Sequence, residues 1–336
     1  MKAIQMAAPK QLELVNTEKP AIAADEVLIK VAYGGICGSD IHIYHGNNER
    51  VKYPLIACHE FSGEIVEIGK ECSSQWEIGD KVVVNPLISC GVCDPCVRGN
   101  VHVCKKLGLI GIDIDGAFAE YVKAKPYQLI KVPEGIPLDT AALAEPLAVG
   151  IHAVTTSGLK IGDKVVILGG GPIGLMVAFA AKAAGAGLVV ISEVSQFRLE
   201  MAKEMGFEVI NAADDVKQKV LELTDGVGAD IVFEAAAAPA TSAQMTGLLR
   251  ISGTAVMVGV HRDLAGVNLR EVNLRELKII GARVYTQNNF VTAVKLLPEL
   301  KELSKVITHR LSFEEHAKAF AAMMDARDSL KILLHP

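Results

Sequence analysis

The chain has 336 residues, which is longer than most domains with a single hydrophobic core, so two domains are expected. Half of the residues are apolar and fewer than a quarter are charged, as in ordinary soluble α/β proteins. The net charge is −5, and the sequence has no run of five or more Lys or Arg residues. Both observations argue against a nucleic-acid partner.

The N-terminus carries no secretion signal, and the longest uncharged run, residues 165–181, is too short for a membrane helix. We therefore expect a cytoplasmic protein that does not enter membranes. Seven cysteines are present, and four of them lie within fifteen residues. In a chain without an export signal this pattern favours metal binding over disulfides.

The first 150 residues predict an antiparallel, barrel-like β domain. Val- and Ile-rich stretches are separated there by Gly and Pro at turn-like spacing. These stretches are Glu26–Tyr33, Gly63–Ile68 and Lys81–Asn85.

Within this first domain lies a cysteine lobe with the spacing C-x₂-C-x₂-C-x₇-C. Its members are Cys90, Cys93, Cys96 and Cys104. Four thiolates at this spacing favour a closed, structural zinc site. An iron–sulfur motif opens in the same way, but its fourth cysteine comes after three residues and precedes Pro, whereas here the gap is seven and Lys105 follows. Unpaired structural thiols are the simpler alternative.

From Asp163 to about Gly281 short apolar runs alternate with helical patterns, which predicts a doubly wound parallel sheet. The predicted strands are Lys164–Leu168, Leu188–Ser192, Glu208–Asn211, Asp230–Phe233, Thr254–Val260 and Leu277–Ile280. The predicted helices are Pro172–Ala184, Ser195–Met205, Asp214–Leu223 and Thr241–Leu249.

The first strand of that sheet runs into a glycine fingerprint, G-x-G-x-x-G, that opens the next helix. Its candidate cofactor-binding residues are Gly169, Gly171, Pro172, Ile173 and Gly174. Between a strand and a helix, this pattern predicts a dinucleotide pyrophosphate seated on the helix N-terminus. A glycine-rich turn without a ligand is the alternative.

An acidic residue, Glu193, follows the last fingerprint glycine by nineteen residues, at the end of the second strand. A carboxylate there accepts hydrogen bonds from ribose hydroxyls and repels a 2′-phosphate, which favours NAD over NADP. Arg198 is the nearby basic group that argues the other way. Val258 and Val260, which close the fifth strand, are further candidate cofactor contacts.

Arg283 lies just past the last strand of the sheet. There it could reach a nicotinamide ribose, a hydroxyl or a substrate carboxylate, and a solvated arginine is equally compatible with the sequence. The tail predicts a helix over Phe290–Leu303, an extended piece near Thr308–Leu311 and a helix from Glu314. A last apolar strand, Lys331–Leu334, needs a sheet to join, and we expect it to return to the first domain.

Three scattered segments carry further metal-ligating residue types. They are Cys37-Gly38-Ser39-Asp40-Ile41-His42, Cys58-His59-Glu60 and Glu145-Pro146. Together with the cysteine lobe, the glycine fingerprint and Arg198-Leu199-Glu200, they resemble the zinc-containing medium-chain dehydrogenases. The resemblance covers essentially the whole chain and is closest to the sorbitol, butanediol and threonine dehydrogenase group.

The resemblance implies a GroES-like catalytic domain combined with a Rossmann domain. We expect the catalytic domain at residues 1–149, with its zinc lobe at about 86–108, the NAD-binding domain at 150–287, and a return to the catalytic domain at 288–336. A homo-oligomer is expected, a homotetramer in preference to a dimer.

The resemblance also implies the roles of individual residues. Cys37 and His59 resemble ligands of a catalytic zinc, and Glu60 the carboxylate that ligates or closely supports it. Glu145 occupies the position at which alcohol dehydrogenases of this family have a second cysteine, and it indicates the polyol subgroup. In that subgroup the carboxylate binds zinc directly or through water. Cys58 departs from the family's usual glycine, and it is either a silent packing change or an additional thiolate for the metal.

The implied chemistry is hydride transfer between NAD and a secondary alcohol, with two zinc ions per subunit. Zinc lowers the pKa of a bound alcohol, Ser39 takes the proton, and His42 passes it on through the cofactor ribose. A surface imidazole without a role is the alternative for His42. The expected substrate is a polyol, a vicinal diol or a sugar acid. The alternatives are L-threonine 3-dehydrogenase and a non-catalytic nucleotide-binding protein.

Overall fold

A computed structural model of the protein describes residues 1–72 and 74–336. It divides into two compact units. The first unit comprises Met1–Glu145 and Thr286–Pro336, and the second comprises Pro146–Tyr285. The boundaries expected from the sequence, after residues 149 and 287, lie four and two residues further along the chain.

The first unit begins with short strands and three short helices. The strands are β1 (Lys2–Ala8), β2 (Gln11–Asn16), β3 (Val27–Gly35), β4 (Leu55–Ile56), β5 (Glu60–Ile68), β6 (Lys81–Val84), β7 (Leu87–Ile88), β8 (Gly108–Leu109), β9 (Tyr121–Ala124) and β10 (Leu129–Lys131). The helices are α1 (Gly38–Tyr44), α2 (Asp94–Val97) and α3 (Leu138–Ala141), with 3-10 turns at Val101–Val103 and Pro126–Gln128.

The second unit is a six-stranded parallel sheet. Its strands are β11 (Lys164–Leu168), β12 (Leu188–Glu193), β13 (Glu208–Asn211), β14 (Ala229–Glu234), β15 (Leu249–Met257) and β16 (Lys278–Gly281), in the order β13-β12-β11-β14-β15-β16. All five pairings are parallel. The order reverses between β11 and β14, which is the topology of a doubly wound dinucleotide-binding sheet.

Helices alternate with these strands, as the apolar runs predict. They are α5 (Pro172–Ala183), α6 (Gln196–Glu204), α7 (Val216–Leu223), α8 (Pro239–Leu248) and α9 (Leu269–Leu274), and α4 (Ala144–Ser157) precedes the sheet. Buried side chains such as Val166, Val190, Val232 and Ala255 form the core. A sheet covered on both faces needs such continuous apolar strands.

The tail belongs to the first unit. It contains α10 (Gln287–Leu296), β17 (Ile307–Ser312), α11 (His316–Asp325) and β18 (Lys331–His335), with 3-10 turns at Leu303–Val306 and Phe313–Glu315. Strand β18 pairs with β17 in parallel and with β3 in antiparallel register, Leu333 opposite Gly35. The last strand therefore joins the sheet of the first unit, as expected.

That sheet runs in the order β10-β6-β5-β3-β18-β17, and β9 also pairs with β3. Three smaller strands form a second sheet in the order β2-β1-β4, and β7 pairs with β8 beside the cysteine lobe. The mixture of mostly antiparallel strands here and a parallel sheet in the second unit is the fold class that the sequence indicates.

Several element ends differ from the predicted ones. Helix α10 ends at Leu296 instead of Leu303, because Pro298 has no backbone N–H with which to continue the helical hydrogen bonds. It begins before Phe290, where Thr286 and Asn289 form a capping box. Strand β15 starts five residues before the predicted Thr254, because Leu249 already pairs with Ala229. In the described part of the chain, no helix combines the length and apolarity that a membrane crossing requires.

Candidate active site

The glycine fingerprint forms a tight turn between β11 and α5. Gly169 has a φ of +107°, a conformation that L side chains rarely adopt. A Cβ on Gly174 would lie 1.9 Å from the carbonyl oxygen of Gly169, so the turn requires glycine at both positions. Gly171 is the N-cap of α5, and Pro172 occupies its first turn. Ile173 completes a helix N-terminus whose backbone N–H groups suit an anion.

Glu193 ends β12 beside this turn, and its carboxylate is almost fully buried. Its Oε2 accepts a hydrogen bond from the N–H of Gly170 at 2.8 Å. Its Oε1 accepts from the N–H groups of Val194 and Ser195 at 2.6 and 2.9 Å. A carboxylate has about four acceptor positions, so capacity for a further donor is left. Arg198 Nη1 lies 3.9 Å from Oε2.

The remaining candidate cofactor contacts differ in exposure. Val258 is buried, and its N–H donates to the carbonyl oxygen of Glu234 at 2.8 Å. Val260 is 88% exposed, and Arg283 is exposed just after β16. Val258 is therefore held by a backbone hydrogen bond, whereas the side chains of Val260 and Arg283 are exposed.

The cysteine lobe brings four sulfurs together around α2. The Sγ atoms of Cys90, Cys93, Cys96 and Cys104 all lie within 4.8 Å of one another. Cys93 Sγ is 3.4 Å from that of Cys96 and 3.8 Å from that of Cys104. Tetrahedral coordination at a Zn–S distance of about 2.3 Å separates sulfurs by about 3.8 Å, so the cluster fits a zinc ion.

Backbone N–H groups donate hydrogen bonds to sulfur atoms of this lobe and lower the pKa of two of its thiols. Those of Lys105 and Cys96 lower the pKa of Cys93 to about 6. Those of Cys90 and Lys106 donate to Cys104 Sγ, each at 3.3 Å, and lower the pKa of that thiol. Because zinc binds thiolates, these hydrogen bonds favour the ligating form of Cys93 and Cys104, whereas burial and the neighbouring thiols raise the pKa of Cys96.

A second cluster assembles from segments that are distant in sequence. Ligand atoms of Cys37, His59 and Glu60 lie within 4.8 Å of one another. Cys37 is the N-cap of α1, His59 precedes β5, and Glu60 begins it. One thiol, one imidazole and one carboxylate around a single point, with His59 and Glu60 buried, match the donor types of a catalytic zinc site.

Asp40 supports this second cluster from inside the fold. Its Oδ2 accepts a hydrogen bond from the N–H of Cys37 at 2.8 Å, and its Oδ1 lies 4.0 Å from His59 Nδ1. Burial raises the pKa of Asp40 to about 6, against the opposing effect of His59. The 4.0 Å separation is too long for a hydrogen bond, so Asp40 acts on the imidazole of His59 through its charge.

The imidazole of His59 lies in an anionic environment. Burial disfavours its charged form, yet Cys37, Asp40 and Glu145 raise its pKa well above the usual range. The groups around His59 thus favour a positive charge at this point, which suits a divalent cation. Glu145 belongs to that environment and is buried in the first turn of α4, but it lies outside the group of atoms within 4.8 Å.

Lys331 pairs with Glu60 in the interior of the first unit. Its Nζ lies 2.9 Å from Oε1 and 2.6 Å from Oε2 of Glu60, and it also donates to the carbonyl oxygen of Ile36 at 3.2 Å. Burial opposes the charge on Lys331, but Glu60 and Cys37 raise its pKa. The carboxylate is therefore held by a fixed counter-charge beside the metal-binding atoms.

Two candidate relay residues lie on α1 after Cys37. The Ser39 hydroxyl is buried and has no hydrogen-bond partner within residues 1–72 and 74–336. His42 lies in the last turn of α1 and is exposed. The helix thus carries a buried hydroxyl near its start and an exposed imidazole one turn later.

Cys58 directs its thiol away from the metal cluster. Its Sγ donates to the carbonyl oxygens of Gly35 and Glu60, at 3.7 and 3.5 Å. Burial raises the pKa of this thiol, which keeps it protonated. Its φ of +86° is the conformation for which glycine is the usual residue. In this arrangement Cys58 packs as a small side chain and is not among the ligand atoms grouped around Cys37, His59 and Glu60.

Reasoning from the sequence missed the roles of Asp40 and Lys331. Asp40 had a visible signal, because it is the third residue after Cys37 on the same helix. Lys331 had only a weak one, a lone lysine at the start of an apolar strand. Its partner Glu60 lies 271 residues away, and only the pairing of β18 with β3 brings the two together.

Comparison with known proteins finds matches along most of the chain. Residues 23–134 match the alcohol dehydrogenase GroES-like domain, and residues 172–299 match the zinc-binding dehydrogenase domain.

Whole-chain relatives carry the names of dehydrogenases. A 2-dehydro-3-deoxy-L-galactonate 5-dehydrogenase of Pseudoalteromonas atlantica is 39% identical and aligns over 99% of this chain and 98% of its own. A sorbitol dehydrogenase of Halalkalibacterium halodurans is 38% identical over 95% and 94% of the two chains. The crystal structure of 2R,3R-butanediol dehydrogenase from Bacillus subtilis superposes with a TM-score of 0.93 at 31% identity, covering 100% and 99%.

Proposed function

Because this chain belongs to the zinc-binding alcohol dehydrogenase family, we propose that it transfers a hydride between NAD and a secondary alcohol of a polyol, a vicinal diol or a sugar acid. Membership of the family makes it an alcohol oxidoreductase and disfavours a non-catalytic nucleotide-binding role. The observation that carries the proposal is the convergence of Cys37, His59 and Glu60 on one point. The names of the relatives, which concern a sugar acid, sorbitol and butanediol, support the substrate class.

We assign two zinc ions to each chain. The cysteine lobe supplies four protein ligands and leaves no position open, as in structural sites. Cys37 and His59 hold the second ion, with Glu60 and Glu145 as direct or water-mediated carboxylate partners. At this second site zinc acts as a Lewis acid that lowers the pKa of a bound hydroxyl.

The chain's own residues handle the proton that leaves the hydroxyl oxygen. Ser39 accepts it, because its hydroxyl is buried beside Cys37 and is not engaged by another described group. From Ser39 the proton passes to His42, whose exposed imidazole can exchange it with solvent. Asp40 holds the backbone of Cys37 and faces His59, so it acts as a positioning residue.

Glu193 is the basis for assigning NAD in preference to NADP. Its buried carboxylate is held beside the fingerprint turn by the N–H of Gly170, where it repels a 2′-phosphate. Replacing Glu193 by Ser should weaken NAD and improve NADP, shifting the ratio of kcat/KM values by about tenfold or more. Gln196→Ala on the exposed start of α6 serves as the control. An unchanged ratio would refute this role of Glu193.

The substrate class is tested by screening the zinc-loaded protein with NAD and NADP. The panel contains polyols, sugar acids, vicinal diols and L-threonine. We expect turnover with NAD and a secondary alcohol of the first three classes. A preference for L-threonine would indicate a threonine 3-dehydrogenase instead. If the zinc-loaded protein oxidised none of these alcohols, the proposal would be overturned.

Metal content, assembly and compartment follow from the same proposal. Metal analysis should find close to two zinc ions per chain, and a reproducible single zinc would remove one of the two sites. Should only one zinc be found, we expect it in the cysteine lobe, since four thiolates hold zinc more firmly than an open site with carboxylates. We expect a homotetramer by light scattering and a cytoplasmic location by cell fractionation.

A further inference from the structure

A buried carboxylate, Glu234, ends β14 in the second unit, and the roles assigned so far do not use it. Its side chain is fully buried. Oε1 accepts hydrogen bonds from the N–H groups of Ala236 and Ala237, at 3.0 and 2.8 Å, and from Thr241 Oγ1 at 2.7 Å. Three donors therefore converge on one oxygen of the carboxylate.

The other oxygen of Glu234 fixes an imidazole. Oε2 lies 3.0 Å from Nε2 of His261, and the hydroxyl of Ser242 lies 3.1 Å from the same nitrogen. Because an ionised carboxylate can only accept hydrogen bonds, Nε2 must carry a proton. In the neutral imidazole the second nitrogen, Nδ1, is then an acceptor.

Nδ1 of His261 is free to bind a ligand. Within residues 1–72 and 74–336 it forms no hydrogen bond, and it is not one of the buried polar atoms. The side chain keeps 16% of its surface exposed. The imidazole is therefore held at one nitrogen and accessible at the other.

The pair lies at the carboxyl edge of the parallel sheet, next to the glycine fingerprint. A Cβ on Gly169 would lie 3.0 Å from the backbone nitrogen of Ala236, and one on Gly259 would lie 2.9 Å from Oε2 of Glu234. The turn after β14 is thus packed between the fingerprint and the segment after β15. In a doubly wound sheet, dinucleotides bind at this edge, where the strand order reverses.

The position of Glu234 and His261 along the sheet indicates which half of the dinucleotide lies near them. Glu193 ends β12, on the side of the reversal that receives the adenosine half. On the other side, which receives the nicotinamide half, Glu234 ends β14 and His261 follows β15.

We propose that His261, held in place by Glu234, binds the nicotinamide half of the cofactor through its Nδ1 atom. The ligand group is a hydrogen-bond donor, either a ribose hydroxyl or the carboxamide N–H. Glu234 is a positioning residue, since it sets the tautomer and orientation of the imidazole. This inference rests on the proposed function, because it requires the chain to bind a nicotinamide dinucleotide.

The test compares His261→Gln with the unsubstituted protein for binding of NADH and of ADP, measured by calorimetry on the zinc-loaded chain. The amide nitrogen of Gln can still donate to Glu234, but Gln has no atom in place of Nδ1. NADH affinity should fall by about three- to tenfold, whereas ADP affinity should stay within about twofold. Asp263→Asn is the matched control, because it changes an exposed side chain of the same segment without touching Glu234 or His261, and it should bind NADH like the unsubstituted protein.

The possible outcomes separate this inference from the proposed function. Unchanged NADH affinity in His261→Gln, or an equal loss for NADH and ADP, overturns the role of His261. An unsubstituted protein that binds neither ligand overturns the proposed function itself, and this inference with it.

A further arm identifies the donor on the cofactor. The reduced 3-acetylpyridine analogue of NADH keeps the ribose but lacks the amide N–H. A loss in His261→Gln that is confined to NADH identifies the carboxamide, and an equal loss for both dinucleotides identifies the ribose. Either result supports the proposal.

Discussion

The cysteine lobe takes all four of its sulfurs from fifteen consecutive residues, whereas the Cys37 cluster collects its groups from α1, the start of β5 and, through Lys331, the last strand of the chain. In the lobe, backbone N–H groups stabilise the thiolates. In the Cys37 cluster, buried side chains fix the ligand residues instead: Asp40 accepts a hydrogen bond from the N–H of Cys37, and Lys331 pairs with Glu60.

On the proposed assignment, this difference separates a structural from a catalytic metal centre within one domain. A short loop can satisfy four ligands locally and close around its ion, so nothing else in the fold needs to support it. An open centre has a position for substrate, and its ligands must be held by the surrounding tertiary structure. The two centres should therefore fail differently when they are perturbed.

The largest effect is expected from Cys93→Ala. It removes a ligand from a closed site whose binding free energy is coupled to the folding of its lobe. The variant should lose about one zinc ion per chain and show loss of stability or assembly before loss of turnover. Metal analysis with thermal unfolding measures this, and Cys72→Ala, outside both clusters, is the control. A stable variant that is inactive would reverse the assignment of the lobe as structural.

A smaller effect on stability is expected from Lys331→Met. It leaves the Glu60 carboxylate buried without its counter-charge, which costs about 3–5 kcal/mol. The double variant Lys331→Met/Glu60→Gln should recover part of this loss, because the uncompensated charge is gone. Urea unfolding at a fixed zinc concentration measures the free energies. Additive losses in the double variant would show that the two side chains are not coupled.

Ser39→Ala should affect turnover without affecting the scaffold. It removes only a hydroxyl from the proposed proton path, so zinc content, fold and NAD affinity should persist while turnover falls by ~100-fold or more. Turnover is measured where hydride transfer is rate-limiting, and Ser39→Thr, which keeps a hydroxyl, is the control. Full turnover in Ser39→Ala would make a water held by Glu60 or Glu145 the better base.

The smallest effect is expected from Cys58→Gly. Glycine relieves a left-handed backbone conformation that costs a cysteine roughly 1–2 kcal/mol, but a buried thiol is lost, so stability should change by no more than about 1 kcal/mol. Zinc content and turnover should stay the same. Loss of the catalytic zinc in this variant would make Cys58 a metal ligand after all.

The elements with strong local signals could be predicted from the sequence. The strand Lys164–Leu168 has the predicted bounds, since a buried parallel strand reads as an apolar run. Glu208–Asn211 also has the predicted bounds, although it is an edge strand in which only Ile210 is buried. Element ends were less predictable where pairing decided them. Leu249 looks helical by its apolar spacing, yet it begins β15 because it pairs with Ala229.

By itself, the sequence determined the fold class, the cysteine lobe and the glycine fingerprint, because each of these depends on residues close together in the chain. Only the tertiary structure decided that Asp40 faces His59, that Lys331 pairs with Glu60, and that Glu234 holds His261. Such contacts join side chains from different elements. Their partners are chosen by strand order and register, which no local pattern of residues encodes.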